Sequence, residues 1–380
     1  MSNIYEELGV NPVINAMGHR TLLGGGTPSP EVRAVMDESE GYYADMGELI
    51  DRVGERVAEM LDVEAALITS GCAAALAVGA AAIMTGQDVA KIEQIPDVLG
   101  MRHEFIIQKQ LRVKYDRSMS IPGGKLVEVG NIEETTADHI EEAIGPNTAA
   151  IHYLAPGDRL PGALPIEEVI RIGHAHNIPI IVDAAGEVYP TSLLSDYVKM
   201  GADLVAYGAK YFGSVNSSGI LTGKRDLILA ARMNSFIGFE DSPTRTFARP
   251  MKVDRQEVVA VYAALREWLT MNHEDRFASY DNRISTIRRE LSGVPHISLR
   301  DDPEDGPTVG LKIILDTNAL GKTAANVISE LRTGTPSIWV RSDSIHPDHP
   351  SPDDDAFIIG MKALQEGGEK VITDRLKEIL

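Results

Sequence analysis

The chain has few of the residues that mark secreted or membrane proteins. It holds one cysteine, Cys72, so it cannot build an internal disulfide framework, and we expect a reducing compartment. No apolar stretch approaches the roughly 20 residues that a membrane-spanning helix needs. Residues 1–7 lack the basic and apolar regions of a signal peptide. These features predict a cytoplasmic protein with no membrane partner.

Positive charge is also scarce. The chain has 36 Lys and Arg against 56 Asp and Glu, which gives a formal net charge of −20. Its basic clusters are short, such as residues 109–117 and the pair Arg288-Arg289. Binding to a phosphate backbone requires clustered Lys and Arg. We therefore expect no nucleic-acid partner.

Repeats and low-complexity segments are absent, and the pattern of apolar residues predicts two domains. Between about residues 50 and 230, short apolar strands alternate with amphipathic helices, which is typical of an α/β fold with a mostly parallel sheet. Past residue 250 the strands become fewer, which favours a smaller α+β domain. We predict an irregular N-terminal segment at 1–50 that crosses to or joins the small domain, a large domain at 51–250 and a small C-terminal domain at 251–380.

A polar, proline-rich stretch at residues 346–355 contains His346 and His349. Two histidines at this spacing could bind a metal ion in isolation. The surrounding prolines and aspartates favour a solvated loop instead. We therefore predict a loop and no metal site.

Two apolar runs each end in one polar residue. The run at residues 180–185 contains Asp183, and the run at 203–210 ends at Lys210. Open α/β sheets place their chemistry at the carboxyl ends of their strands. A lysine there can hold the aldehyde of pyridoxal 5'-phosphate (PLP) as a Schiff base, and an aspartate can sit against the pyridinium nitrogen. A solvent-reaching lysine and a turn-capping aspartate are the alternatives that these two runs leave open.

Ser70-Gly71-Cys72 follows a predicted strand and opens an Ala-rich helix. Backbone N–H groups at such a helix start bind anions, and the Ser70 hydroxyl adds a donor, although an ordinary capped turn has the same pattern. Cys72 suits a small buried residue better than a nucleophile. Ala185, two residues after Asp183, would share its strand face and pack against the cofactor ring. The order phosphate loop, Asp, Lys is that of fold-type-I PLP enzymes.

Several segments along the chain carry a family resemblance. They are Val13-Ile14-Asn15-Ala16-Met17-Gly18, residues 43–54, Thr69-Ser70-Gly71-Cys72-Ala73-Ala74-Ala75, Val182-Asp183-Ala184-Ala185, Gly208-Ala209-Lys210 and Arg249-Pro250-Met251-Lys252-Val253. In these segments the chain resembles the family that includes bacterial selenocysteine synthase (L-seryl-tRNA selenium transferase) and D-glucosaminate-6-phosphate ammonia-lyase. The resemblance implies a fold-type-I PLP-dependent transferase fold. It also implies that Lys210 and Asp183 are the cofactor lysine and aspartate.

The resemblance further implies active sites at a homodimer interface, where Arg249 and Lys252 would serve the neighbouring subunit's site. It implies a carboxylate-binding arginine in the C-terminal domain, for which Arg341 is our candidate. A surface arginine at a strand end is the alternative there. His19 and Arg20 would line the substrate entrance.

The segment at residues 108–117 should supply a group over the cofactor ring. Tyr115 and Arg112 are both candidates, and we assign Tyr115 to the cofactor. The chain departs from the family after Lys210, where residues 211–216 replace an expected Gly-Pro pair. This departure leaves the phosphate contacts and neighbouring-subunit contacts open. The extra N-terminal domain of the tRNA-dependent enzyme is missing, so we expect a small-molecule substrate.

Together these features predict a PLP-dependent lyase that acts on a small β-hydroxy amino acid or amino sugar acid. An α,β-elimination would give a 2-keto acid and ammonia, with Lys210 as the general base. β-Replacement of the selenium or sulfur transferase kind, racemisation and aldol cleavage start from the same cofactor-bound substrate. A PLP-binding regulatory protein without turnover is the remaining alternative.

Overall fold

The computed structural model describes residues 4–304, 306–343 and 355–380, and these form two compact units. The larger unit spans residues 27–270, and the smaller one joins the chain up to Gly26 with the chain from Met271 onward. The larger unit therefore extends beyond the predicted limits of 51 and 250 at both ends, because the helices Pro30–Glu40 and Met46–Leu61 both pack on the helix Arg255–Thr270.

The described strands are β1 (Val13–Ala16), β2 (Ala65–Thr69), β3 (Glu104–Gln108), β4 (Lys125–Val129), β5 (Thr148–Leu154), β6 (Ile180–Asp183), β7 (Leu204–Gly208), β8 (Gly219–Gly223), β9 (Ile297–Asp302), β10 (Gly310–Leu315), β11 (Ser337–Ser342) and β12 (Ala356–Gly360). The described α-helices are α1 (Ile4–Glu7), α2 (Pro30–Glu40), α3 (Met46–Leu61), α4 (Cys72–Thr85), α5 (Val89–Gln94), α6 (Ala137–Ala143), α7 (Ile166–Ala175), α8 (Leu193–Met200), α9 (Arg225–Asn234), α10 (Phe236–Asp241), α11 (Arg255–Thr270), α12 (His273–Leu291), α13 (Thr317–Leu320), α14 (Ala324–Thr333) and α15 (Gly368–Ile379).

The larger unit is built on a seven-stranded sheet in the order β2-β8-β7-β6-β5-β3-β4. All neighbouring strands run parallel except β8, which is antiparallel to both β2 and β7. Strands β6, β7 and β8 are buried along their whole length, as expected for a sheet covered on both faces. The predicted α/β fold with a mostly parallel sheet is confirmed.

Helix α4 covers one face of this sheet. It is apolar on all sides and buried from Ala74 to Ala82, which is typical of a core helix. Its Gly79 lies against the side-chain ends of Ile181, Leu204 and Leu221, on β6, β7 and β8. The start of α4 is thereby fixed next to the carboxyl ends of the central strands.

The smaller unit holds a five-stranded sheet in the order β1-β11-β12-β10-β9. β1 runs parallel to β11, and the other pairs are antiparallel. Helices α12, α14 and α15 pack on the sheet through buried apolar side chains such as Ile287, Val327 and Ile372. This arrangement is the α+β domain that the sequence predicts.

The first 50 residues are more regular than predicted. β1 joins the sheet of the smaller unit, and α2 belongs to the larger unit. In α2, Ser29 caps the helix by accepting the Val32 N–H, and Pro30 occupies the first turn. Val32 is the one buried residue of α2. The regular spacing of apolar residues from which a helix is predicted is therefore absent in this segment.

Residues 346–354 of the predicted loop, which include His346 and His349, lie outside the described residues. Among the residues that are described, no group of three or more His, Cys, Asp and Glu side chains is arranged to hold a metal ion. No helix in the described ranges is both long and apolar enough to cross a membrane.

Candidate active site

Asp183 and Lys210 lie at the same edge of the large sheet. Asp183 is the last residue of β6, and Lys210 sits in a 3-10 turn, Ala209–Phe212, directly after β7. The two strands are parallel neighbours, with Asp183 opposite Ala206. The Gly208 N–H also donates to the Ala185 carbonyl over 2.9 Å. The sheet therefore brings the predicted carboxylate and the predicted amine together.

The Asp183 carboxylate is buried and has one occupied oxygen. Its Oδ1 accepts the Ala185 N–H at 3.1 Å and the Cys72 thiol at 3.5 Å. No described group donates a hydrogen bond to Oδ2. The strand ends at Asp183, so Ala185 lies in the following turn rather than on the strand face that the sequence suggested. The turn forms there because the Asp183 side chain caps the Ala185 N–H.

Burial controls the proton state of Asp183. Loss of solvent raises the pKa of this carboxyl above its ordinary value, while a charged His152, the Ala185 N–H and the Cys72 thiol each act to lower it. A protonated pyridine nitrogen facing Oδ2 would supply the missing donor and the missing positive charge. This unfilled oxygen is the observation on which the fit of PLP rests.

The sequence analysis missed His152. This residue lies on β5 opposite Ile181 of β6, and its side chain is 1% exposed. Its Nδ1 is 3.3 Å from the Ile181 carbonyl oxygen, and its Nε2 has no hydrogen-bond partner among the described residues. A single polar residue inside the apolar run of β5 is the signal that could have identified it.

Lys210 is half-buried beside residues 211–216, the segment that departs from the expected motif. Its Nζ lies 3.4 Å from Asn216 Oδ1 and 5.2 Å from the centre of the Tyr211 ring. The Tyr211 ring also packs over the backbone of Gly186 and Gly208, where a Cβ would come within 3.7 and 3.1 Å of it. Asn216 and Tyr211 are thus site residues that the sequence did not assign.

The loop at residues 70–72 has the form of an anion-binding helix start. Gly71 caps α4 with a φ of 103°, which is a left-handed conformation, and the first N–H groups of α4 have no carbonyl within the helix. Gly219 of β8 backs this loop, and a Cβ there would lie 2.6 Å from the Gly71 carbonyl carbon. The loop can hold its shape only because both positions are glycine.

Two side chains of this loop already have protein partners. Ser70 donates its hydroxyl to the Met251 carbonyl at 3.1 Å, which connects the loop to the segment 249–253. Burial and the neighbouring Asp183 charge hold the pKa of the Cys72 thiol well above its ordinary value. A thiol in that state is a poor nucleophile, in agreement with the sequence-based interpretation.

Arg249 and Lys252 line a groove of about 690 Å³ within the larger unit, together with Tyr43 and Arg255. Arg249 pairs with Glu240 at 2.6 Å, and the Arg255 guanidinium stacks on Tyr43. Both predicted residues therefore belong to the segment 249–253, which contacts the loop at residues 70–72 through Met251. Their service to a neighbouring subunit stays a prediction.

Tyr115 is 55% exposed on the 3-10 segment Lys114–Ser120. The alternative, Arg112, is bound by two carboxylates: buried Asp116 at 2.5 Å and Glu128 at 2.9 Å. Its guanidinium is thus already paired within the protein. Tyr115 stays the predicted residue over the cofactor ring.

Arg341, His19 and Arg20 lie in the smaller unit. Arg341 sits within β11 and forms an ion pair with Asp302 of β9. His19 and Arg20 follow a turn in which the Asn15 side chain accepts the Met17 N–H and donates to the Gly18 carbonyl. The motif at residues 14–18 therefore builds this turn, and the substrate roles of the three residues stay predictions.

Comparison with known proteins agrees with this geometry. Residues 36–224 match the family model described as Cys/Met metabolism PLP-dependent enzyme. The chain is 31% identical to the 5'-C-glycyluridine monooxygenase-decarboxylase of a Streptomyces species, over 99% of this chain and 92% of that protein. It is 28% identical to the D-glucosaminate-6-phosphate ammonia lyase of Salmonella typhimurium, over 99% of this chain and 98% of that protein.

A solved structure of D-glucosaminate-6-phosphate ammonia-lyase superposes with a TM-score of 0.84 at 27% identity and covers 100% of this chain and 98% of its own. The family resemblance, the fold class and the cofactor predicted from the sequence are thereby confirmed. The chain belongs to the family of fold-type-I enzymes that use pyridoxal 5'-phosphate and that includes D-glucosaminate-6-phosphate ammonia lyase.

Proposed function

We propose that the protein is an ammonia-lyase for a small β-hydroxy amino acid or amino sugar acid, and that it forms a 2-keto acid and ammonia. The observation that supports this proposal is the edge of the large sheet, where Asp183 ends β6 and Lys210 follows β7 beside the loop at residues 70–72. The full-length similarity to an ammonia lyase supports this reaction class.

Bound PLP supplies an electron sink for a carbanion at the substrate Cα. In the proposed reaction, Lys210 Nζ holds the cofactor until substrate arrives and then removes the Cα proton. The same Nζ delivers this proton to the hydroxyl that leaves Cβ as water. Water then replaces the nitrogen, so the net products are the keto acid and ammonia. Asn216 orients Nζ, and Asp183 fixes the pyridine nitrogen.

The assignment of Lys210 is tested by trapping. Borohydride reduction of the holoprotein should attach the pyridoxyl group to the peptide that contains Lys210, as read by mass spectrometry. Lys210→Ala should lose both this mass and the visible absorbance of bound PLP. Lys199→Ala, an exposed lysine of the same unit, should retain both. A pyridoxyl group on another lysine would refute the assignment.

The reaction is tested with a panel of D- and L-β-hydroxy amino acids and amino sugar acids. Keto acid and ammonia released in equal amounts support the lyase. Aldehyde release would indicate aldol cleavage, loss of optical activity alone would indicate racemisation, and incorporation of an added thiol would indicate β-replacement. Spectral changes without consumption of any substrate would indicate a regulatory protein.

A second candidate is an oxygen-dependent decarboxylation of an amino acid. The 31% identity to a monooxygenase-decarboxylase over nearly the whole of both chains favours it. It starts from the same bound amino acid but requires O₂ and releases CO₂. Oxygen uptake measured beside ammonia release separates the two: uptake in step with turnover would replace the lyase proposal.

We also propose that the active form is a cytoplasmic homodimer in which Arg249 and Lys252 complete the neighbouring site. The groove beside the phosphate loop supports this arrangement. Co-expression of Lys210→Ala with Lys252→Ala chains should restore up to about a quarter of wild-type activity, since one site per mixed dimer is intact. Inactive mixed dimers would contradict shared sites.

For the substrate side, we propose that Arg341 binds the carboxylate near His19 and Arg20, and that Tyr115 covers the cofactor ring. The planar fork of Arg341 suits a carboxylate, as its pairing with Asp302 illustrates. Arg341→Lys should raise KM for the substrate and leave PLP content unchanged. Tyr115→Ala should instead weaken PLP binding.

A further inference from the structure

His152 combines nearly complete burial with an unfilled ring nitrogen. Its Nδ1 lies 3.3 Å from the Ile181 carbonyl oxygen, which can only accept a hydrogen bond. Nδ1 therefore carries the proton of the neutral ring, and Nε2 is left as a buried acceptor with no donor among the described residues. Leaving a buried acceptor empty reduces stability, and such groups are rare without a purpose.

The register of the sheet places this imidazole on the same face as the cofactor carboxylate. His152 stands opposite Ile181, and Leu154 stands opposite Asp183. Residues two apart on a strand point to the same face, so His152 and Asp183 project from one face of neighbouring strands. Helix α4 closes that face, with Gly79 over Ile181 and Cys72 against Asp183.

The charged groups around His152 come from two parts of the chain. Asp183 lies on β6, while Asp116 and Arg112 come from the segment after β3. Arg112 is bonded to Asp116 at 2.5 Å, so these two charges largely cancel. Asp183 is therefore the charged neighbour of His152 that is not neutralised by an ion pair. Its side-chain partner is the Cys72 thiol, which is a weak donor. Two groups coupled in this way titrate as a pair.

We infer that His152 is a positioning residue for the cofactor: when PLP is bound, its Nε2 takes up the proton that burial keeps on Asp183 in the apoprotein. Asp183 then faces the pyridine nitrogen as a carboxylate, and one proton moves between two protein atoms with no other reactant. The inference rests on the proposed PLP site and goes beyond it, because it names the group that sets the charge state of the Asp183 carboxyl. Burial lowers the pKa of His152 and raises that of Asp183, and each charged form favours the other.

The test measures the dissociation constant of PLP against pH, with apoprotein and absorbance titration. His152→Gln keeps a polar side chain of similar size but cannot take up a proton. At pH values below the raised pKa of Asp183, it should weaken PLP binding by about tenfold for each unit by which that pKa rises further. The pH at which binding fades should also move upward. His152→Leu should weaken PLP binding in the same way, and it replaces the Gln variant in the test if that variant folds poorly.

A double-mutant cycle separates this role from a structural one. In an Asp183→Asn background, His152→Gln should have no further effect on PLP binding, because the carboxyl on which it acts is gone. His174→Gln is the matched control. That histidine also bonds a buried aspartate, Asp203 at 3.1 Å, but it lies in the last turn of α7, away from the site residues.

An unchanged PLP affinity in His152→Gln would overturn the inference. A tenfold loss that persists with Asp183→Asn would also overturn it, since the effect would then be independent of the carboxyl. Failure of the proposed site gives a different pattern, in which wild-type protein takes up no PLP and Lys210→Ala matches it.

Discussion

Asp183 lowers the stability of the apoprotein in exchange for binding the cofactor. Its buried carboxylate has one oxygen to which no described residue donates a hydrogen bond, and burial raises its pKa. Asp183→Asn removes the buried charge but keeps an acceptor for the Ala185 N–H. We expect the free energy of unfolding, measured by urea titration at neutral pH, to be about 1–2 kcal/mol higher for this variant than for wild-type apoprotein. Its PLP affinity should fall by more than tenfold.

The same variant should also change how the stability of the apoprotein depends on pH. The folded state keeps a proton on Asp183 at pH values where the unfolded chain has lost it, so stability falls as pH rises from the ordinary aspartate range through the raised pKa. Asp183→Asn should remove this part of the slope. His152, whose pKa is lowered, contributes with the opposite sign, so the comparison is made between wild type and variant. Equal slopes would contradict the buried-charge argument.

The residues that the sequence predicted carry a local signal, and those it missed depend on tertiary contacts. Lys210 and Asp183 end apolar runs, so their place at the sheet edge follows from strand polarity alone. His152 is one polar residue inside a buried strand. Its importance appears only when β5 pairs with β6. Asn216 follows a departure from the family motif, so no pattern pointed to it.

At the scale of elements, the glycines of the core helices show how closely these helices approach the sheet. A Cβ on Gly54 of α3 would lie 2.4 Å from the Ala66 carbonyl oxygen, whereas one on Gly79 of α4 would meet the mobile end of Ile181 at 2.9 Å. Backbone cannot move aside as a side-chain end can. Both substitutions to alanine gain about 1 kcal/mol of helix propensity.

We therefore expect the two alanine variants to differ. Gly54→Ala should lower the free energy of unfolding by about 2 kcal/mol, since the clash exceeds the helix gain. Gly79→Ala should change it by less than about 1 kcal/mol. Denaturant titration of the two variants side by side measures this difference. Equal losses would show that α4 has no more freedom to adjust than α3.

Elements with a clear pattern of apolar residues were predictable from the sequence. Elements stabilised mainly by helix caps or by pairing with other strands were not. The sequence predicted β6, β7 and the helix after Ser70 because their apolar runs are continuous. It missed β8, which contains Gly219 and Gly223 and becomes a strand only between β2 and β7. It also missed α12, whose 19 residues bury only Ile284, Ile287 and Leu291.

At the scale of the whole molecule, the predicted cofactor residues and the predicted substrate residues lie in different units. Every cofactor residue assigned here lies in the larger unit, and the predicted substrate residues Arg341, His19 and Arg20 lie in the smaller one. The composition could suggest two domains. It could not show that β1 belongs to the sheet of β11, since this pairing joins residues more than 300 positions apart.

This division predicts where PLP changes the stability of the chain. A ligand at a hundred times its dissociation constant stabilises the state that binds it by about 2.7 kcal/mol. Hydrogen–deuterium exchange of apoprotein and holoprotein should therefore slow most in peptides from residues 65–85, 180–187 and 204–219. The β10 and β12 peptides of the smaller unit serve as the internal reference. Protection greatest in that reference would place the cofactor outside the edge formed by Asp183 and Lys210, because bound ligand slows exchange first where it holds the backbone closed.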